Sequence, residues 1–223
     1  MPEPRERELL RRLSGAGVSA DEIRELLRDA GTRRFHVIRR VLAAHPRTPR
    51  GDALSLIPTL YWRDLAWISA EARCHPEIRR AADKEIVRRL PGLALSEKAE
   101  LAEISGRGVI SVLKSQPDAS LVRGVLRNRL TIESDVAFMA GLSRDFLVLG
   151  SILSHPVWGV RASVRTALAR NRFLPEPDAI ALLSTVPIQE LREICRESFR
   201  PASFLEGARK ILSRRLEGWS RVE

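Results

Sequence analysis

Ala72-Arg73-Cys74-His75-Pro76, Leu113-Lys114-Ser115-Gln116-Pro117 and Ile152-Leu153-Ser154-His155-Pro156 are three versions of one phrase, a helical run closed by a polar residue and a proline. The three prolines are 41 and 39 residues apart. Proline lacks the amide hydrogen and pushes the residue before it out of α geometry, so it stops one helix and can open the next at its first turn. Arginine-bearing segments follow: Glu77-Ile78-Arg79-Arg80, Leu121-Val122-Arg123 and Val160-Arg161. Each runs to a loop, namely Arg88-Arg89-Leu90-Pro91, Arg127-Asn128-Arg129-Leu130 or Arg170-Asn171-Arg172-Phe173-Leu174-Pro175. A short acidic-headed helix then begins at Ser96-Glu97, Glu133-Ser134-Asp135 or Glu176-Pro177-Asp178, where carboxylates complement the positive end of the helix dipole. An earlier copy starts at Phe35-His36-Val37-Ile38-Arg39-Arg40 and passes through Ala44-His45-Pro46-Arg47-Thr48-Pro49. A period near forty residues marks a stacked helical repeat.

Between the prolines the apolar residues keep helical spacing, as in Leu147, Leu149, Ile152 and Leu153. No two-residue alternation and no Asn-Gly hairpin occurs, so the predicted fold class is all-α. Residues 1–31 differ from the rest. Arg5–Leu13 and Ala20–Ala30 read as two helices around Gly15-Ala16-Gly17, with a capping box at Ser19-Ala20-Asp21-Glu22 and Gly31 just past a helix end. That segment is close to neutral and suits an N-terminal cap; residues 201–219, with Ile211, Leu212, Leu216 and Trp219, suit the matching C-terminal one.

The phrase Ile38-Arg39 through Leu42-Ala43-Ala44-His45-Pro46-Arg47-Thr48-Pro49 returns as Gly159-Val160-Arg161 through Ala169-Arg170-Asn171 and Pro175. It resembles the "VR…LA.NP.TP" phrase of bacterial HEAT, armadillo and variant leucine-rich repeats, over roughly residues 32–216. The resemblance implies a right-handed α-α superhelix, a solenoid of about four repeats. It implies one continuous domain: an N-terminal cap in 1–31, repeats in 32–200 and a C-terminal capping helix in 201–223. It also implies that Arg39, Arg80, Arg123 and Arg161 serve an internal ladder of hydrogen bonds between repeats. The third copy lacks the loop proline, 187–216 is degenerate, and only 30 residues separate Pro46 from Pro76, so the phase stays open between a three-helix and a shorter two-helix unit. Such a fold is nearly silent about activity.

The formal charge is +10, almost all of the excess being arginine: Lys84, Lys98, Lys114 and Lys210 are the lysines. Residues 33–50 hold six arginines and no acid, and residues 157–172 four arginines and no acid. In stacked repeats such a surplus would form a ridge, to which a phosphate backbone or another polyanion would bind with a steep salt dependence. The surface candidates are Arg33, Arg34, Arg47, Arg50, Arg88, Arg89, Arg127, Arg165 and Arg172.

Tyr61-Trp62-Arg63-Asp64-Leu65-Ala66-Trp67 is the densest aromatic cluster and contains the sole tyrosine. Tyr61, Trp62 and Arg63 have the composition of a binding hot spot. The plainer alternative packs Trp62 and Trp67 between helices, with Arg63 and Asp64 pairing locally. His45, His75 and His155 each precede proline at a helix end, where a protonated ring favours the exposed carbonyls. No zinc, calcium, nucleotide or nucleophile motif is present, and Gly106-Arg107-Gly108 reads as a lone turn. No catalytic residue, metal or cofactor is therefore expected. Cys74 and Cys195 lie far apart, as buried thiols of a reducing compartment would. The charged start lacks a secretory leader and no run of about 18 apolar residues occurs, so a cytoplasmic chain without a membrane span is expected. The expected function is a non-catalytic scaffold holding a protein or peptide along a groove. The alternative is a nucleic-acid-binding solenoid, within which an alkylated-base DNA glycosylase is the one enzymatic option. The oligomeric state is left open.

Overall fold

The computed structural model describes residues 3–14, 18–116, 118–197 and 201–219. Among the described residues the regular elements are all helices, with no strand. Two compact units are present, one comprising residues 1–112 with 128–130 and the other 113–127 with 131–223.

The first unit contains α1 (Pro4–Ser14), α2 (Ala20–Arg28), α3 (Ala30–Arg33), α4 (His36–Ala44), α5 (Arg50–Leu56), α6 (Trp62–Ala70), α7 (Pro76–Arg89), α8 (Leu95–Ile104) and nearly all of α9 (Arg107–Leu113). Helix α6 packs on α7 and lies beside both α4 and α8, while α5 lies beside α7. The core is Ile38 and Leu42 of α4, Leu65 and Ile68 of α6, Ala82 and Ile86 of α7, and Leu101 of α8, all fully buried. Each buried Leu or Ile contributes about 1.5–3 kcal/mol, and the interleaved alanines let the helices approach closely.

The capping box forms as expected: the Glu22 amide donates to Ser19 Oγ at 3.1 Å and the Ser19 amide to the Glu22 carboxylate at 2.9 Å. Gly15-Ala16-Gly17 lies outside the described residues. Gly31 does not stand past a helix end. It is the second residue of α3, because Asp29 ends α2 and caps a new turn, accepting from the Gly31 amide at 2.9 Å and the Thr32 hydroxyl at 2.7 Å.

Gly106 and Gly108 do more than mark a turn. The Gly106 amide donates to Ser69 Oγ at 2.7 Å. A Cβ at Gly106 would run into the Ser69 carbonyl, and one at Gly108 into the Asp83 carboxylate. Gly51, at an exposed position of α5, has open space around it. Gly106→Ala is therefore expected to destabilise the first unit by about 1–3 kcal/mol, whereas Gly51→Ala stabilises it by about 0.4–1 kcal/mol. Urea denaturation of the two variants checks the opposite signs.

The second unit contains α10 (Ala119–Arg127), α11 (Glu133–Leu142), α12 (Phe146–Leu153), α13 (Ala162–Arg170), α14 (Glu176–Leu183), α15 (Ile188–Ile194) and α16 (Ala202–Trp219). Helix α10 lies beside α12, α11 runs along α13, α13 packs on α14, and α14 and α15 pack on α16. Val136, Leu149, Ile152, Val164, Leu168, Leu183, Leu191 and Phe204 are fully buried.

Helix starts follow the sequence signals unevenly. Pro76 opens α7 at its first position. Pro117 lies outside the described residues. Pro156 opens no helix: it enters a turn closed by the Gly159 amide on the His155 carbonyl at 2.8 Å, and α13 begins only at Ala162 with Arg161 as its cap. The acidic heads behave as expected, since Glu97 accepts from the Ala94 amide and Asp135 from the Ile132 amide. Helix α16 is held by Phe204 and Ala208, both fully buried. Ile211 and Leu212 are half-buried and Leu216 is exposed, so the anchor sits one or two turns earlier than the sequence suggested; the Trp219 side chain lies outside the described part.

Both cysteines are free thiols, Cys74 buried and Cys195 half-buried. Burial pushes the Cys74 thiol up to about 11, which makes it a poor nucleophile. Among the described residues no helix is long and apolar enough to cross a membrane.

Candidate functional site

Helix α6 buries Asp64, Leu65, Ala66, Ile68 and Ser69, and this places Arg63 and Trp67 on the opposite face. Tyr61 caps the helix with its ring outward, 62% exposed, and Trp67 is 43% exposed. The neighbouring α4 supplies the flank. The His36 ring meets Tyr61 edge-on at 5.5 Å, and the Arg40 guanidinium stands 5.3 Å over the Trp67 ring. Arg40 also pairs with the buried Asp64 at 3.3 Å. On the other side α8 supplies two carboxylates. Arg63 donates twice to Glu100, both bonds 2.8 Å, and stands over the Trp62 ring at 4.7 Å. The Trp62 indole N–H donates to Glu97 at 3.2 Å. The hydrogen bonds from Arg63 hold the Glu100 carboxyl below its usual range.

The result is a face of α4, α6 and α8 on which two exposed aromatic rings sit among charges that already have counter-charges. Tyr61, Trp62 and Arg63 come together as the sequence suggested, and Arg40 and Trp67 complete the face. The plainer alternative is met only at Trp62, which is half-buried: Arg63 and Asp64 pair not locally but with Glu100 and Arg40, far along the chain, and Trp67 is exposed beneath Arg40.

Most of the other arginine candidates spend their guanidinium inside their own unit. Arg34 pairs with Glu3 at 2.6 Å, Arg47 donates to the Val18 carbonyl at 2.6 Å, and Arg50 pairs with Glu77 at 3.3 Å. Arg88 and Arg89 share Glu85, and Arg89 also ties down the Leu60 and Pro58 carbonyls. Arg33, with Arg24 and Arg28, lines an open cavity of about 410 Å³ that also has Asp52 on its wall. In the second unit Arg165 donates to the Gly159 carbonyl at 2.8 Å, Arg172 lies exposed over the Phe173 ring at 4.9 Å, and Arg127 is exposed.

Hydrogen bonds from Arg88 hold Glu85 at about 2, burial working the other way, against an ordinary value of 4.5. A carboxylate whose folded value is depressed contributes stability that is full above its unfolded value and lost as the pH falls toward the folded one. The stability gap between the wild type and Glu85→Gln is therefore expected to close between pH 4.5 and about 2. Thermal melts across that range check it.

Two expectations need correction. The inter-helix ladder does not run through the arginines: Arg39 donates to the Arg33 carbonyl close by in sequence, and Arg80, Arg123 and Arg161 are exposed. Buried asparagines do this work. Asn128 Nδ2 donates to the Ala102 and Ser105 carbonyls, both at 2.9 Å, and Asn171 Nδ2 to those of Ala140 at 2.7 Å and Ser143 at 2.8 Å. The matching Arg-Asn-Arg triplets, 43 residues apart, were the sequence signal. Nor do the histidine rings turn Nδ1 to the carbonyls of the preceding helix end. Nδ1 of His45, His75 and His155 accepts from the amide two residues on, Arg47, Glu77 and Val157. Asn128 and Asn171 use their carbonyl oxygens in the same way, toward Leu130 and Phe173.

Among the described residues no group of three or more His, Cys, Asp or Glu is placed to hold a metal ion. Comparison of the chain with protein-family models, with curated proteins and with solved structures finds no match.

Proposed function

We propose that the chain is a non-catalytic recognition scaffold of HEAT or armadillo type, a right-handed superhelix of about four repeats, that binds a protein or peptide on the face of α4, α6 and α8. One observation carries the reading: Tyr61 and Trp67 are exposed together among charges that are already paired. Exposed Trp and Tyr flanked by Arg is the composition of protein hot spots, and pre-paired charges need little further desolvation on docking. The repeat reading draws on helices lying side by side at alternate positions, as α4, α6 and α8 do, and on Asn128 and Asn171 bonding two helix-end carbonyls each. A cytoplasmic setting agrees with two free thiols.

The nucleic-acid alternative draws on the +10 charge and on Arg24, Arg28 and Arg33 around one cavity. Capture from lysate, with and without nuclease, separates the two readings. Under the scaffold reading a protein partner survives nuclease, and Tyr61→Ala or Trp67→Ala weakens its binding by about 2 kcal/mol or more, some thirtyfold. Arg80→Ala, at an exposed position of α7, leaves binding unchanged. A captured species that vanishes with nuclease, and whose affinity falls steeply with salt, would establish the alternative.

A further inference from the structure

Tyr61 and Trp67 line one seam of the first unit. His36 and Arg40 are one turn apart on α4 and so share a face of it. The His36 ring meets Tyr61 edge-on at 5.5 Å, and the Arg40 guanidinium stands 5.3 Å over the Trp67 ring. Both rings therefore lie on the α4 side of α6, and both are exposed. Tyr61 and Trp67 are six positions apart, a rise of about 9 Å along the helix.

The charges around the seam nearly balance. Arg40 pairs with the buried Asp64 at 3.3 Å, and Arg63 with Glu100 at 2.8 Å. Glu97 accepts from the Trp62 indole at 3.2 Å and from the Ala94 amide at 2.9 Å, and its charge acts on Arg63 alongside that of Glu100. Two guanidiniums thus face three carboxylates. The surplus acid stands beside Trp62, at the Tyr61 end of α6.

Strands, helices, phosphorylated motifs and proline-rich segments dock in different ways. Strand addition needs an exposed sheet edge, and among the described residues there is no strand. An amphipathic helix needs a continuous apolar groove, whereas His36, Arg40 and Arg63 flank these rings. A phosphorylated motif needs unspent arginines, and both arginines here are paired. A polyproline II segment needs exposed aromatic rings on which proline rings stack. Its carbonyls make no internal hydrogen bonds, so they can accept from the Tyr61 hydroxyl and the Trp67 indole N–H. Its three-residue turn advances about 9 Å, matching the rise from Tyr61 to Trp67. Taking this face as the recognition surface, we propose that its occupant is a proline-rich segment in polyproline II form. One proline stacks on Tyr61 and another, three residues along, on Trp67. A basic residue outside the Tyr61 proline faces Glu97.

The test is a calorimetric titration of the full chain with a synthetic peptide that carries two prolines three positions apart and an arginine outside them. Saturable binding is expected, weakened about tenfold or more by Tyr61→Ala or Trp67→Ala and unchanged by Arg80→Ala, at an exposed position of α7. Replacing both peptide prolines by alanine is expected to weaken binding about tenfold as well, through lost stacking and lost pre-organisation. Exchanging the peptide arginine for glutamate is expected to cost about two- to fivefold, and Glu97→Gln to remove that preference. The proposal is overturned if the alanine peptide, or an amphipathic helical peptide of equal charge, binds as tightly. It is overturned equally if the arginine and glutamate peptides bind alike, if Tyr61→Ala and Trp67→Ala leave binding unchanged, or if millimolar peptide does not saturate the chain. In that last case, weaker capture of the nuclease-resistant partner by Trp67→Ala would leave the broader recognition face standing, and unchanged capture would remove both.

Discussion

Lys114→Met is expected to cost the second unit about 3–5 kcal/mol, a large fraction of the stability of a domain this size. Lys114 follows α9 and reaches Asp135 in the first turn of α11 with an N–O distance of 2.8 Å. The Asp135 side chain is completely excluded from solvent and that of Lys114 is only 21% exposed. Methionine fills the lysine stem and removes only the charge, so the cost is that of a fully buried carboxylate losing the Lys114 counter-charge. Two controls isolate this cause. Asp135→Asn added to Lys114→Met is expected to recover much of the loss, because a neutral amide needs no counter-ion and still accepts from the Ile132 amide that Asp135 now serves at 3.2 Å. Arg63→Met, which removes an equally short but exposed pair with Glu100, is expected to cost under about 1 kcal/mol. Urea denaturation, followed by hydrogen exchange in peptides of each unit, gives both the size and the location of the effects.

The second large effect is expected at Asn171. Its amide nitrogen satisfies the Ala140 and Ser143 carbonyls at the end of α11, and its oxygen takes the Phe173 amide at 2.8 Å. The residue is buried, and alanine would leave three backbone groups without this partner. At about 1 kcal/mol for each lost bond, with a further cost for buried groups left unpaired, Asn171→Ala is expected to destabilise by about 2–4 kcal/mol. Asn171→Asp is expected to do no better, since a carboxylate cannot donate to two carbonyls. Asn128→Ala is expected to act in the same way on the first unit, where Asn128 holds the end of α8. Hydrogen exchange distinguishes the pair: protection falls around residues 140–143 in one variant and around 102–105 in the other.

These residues also show what the sequence can and cannot say. Helix starts were legible where the signal is chemical and local: proline at the first turn of α7, Glu97 and Asp135 reaching back over their helix heads, and Ser19 with Glu22. The aromatic cluster was legible because Tyr61, Trp62 and Arg63 are adjacent, so one cap and one helical turn bring them together. What was not legible depended on partners far along the chain. Whether an arginine is free or spent is decided by residues such as Glu3 for Arg34 or Val18 for Arg47. Arg170 pairs with Glu190, Glu193 and Glu197, which no reading of its own loop reveals. The histidine contacts are not legible from residue type alone, because a residue before proline is extended, and in that geometry the ring nitrogen meets an amide of the next turn rather than the preceding carbonyls. At Gly31 the helix-end signal is overridden by Asp29 two residues earlier, which starts a new helical turn.

Oxidative footprinting of the chain, alone and with its nuclease-treated partner bound, tests the recognition face most directly. Tyr61 and Trp67 are predicted to be shielded in the complex, while Phe173 in the second unit oxidises as it does in the free chain. Unchanged oxidation of both Tyr61 and Trp67, or shielding that nuclease abolishes, would contradict the account.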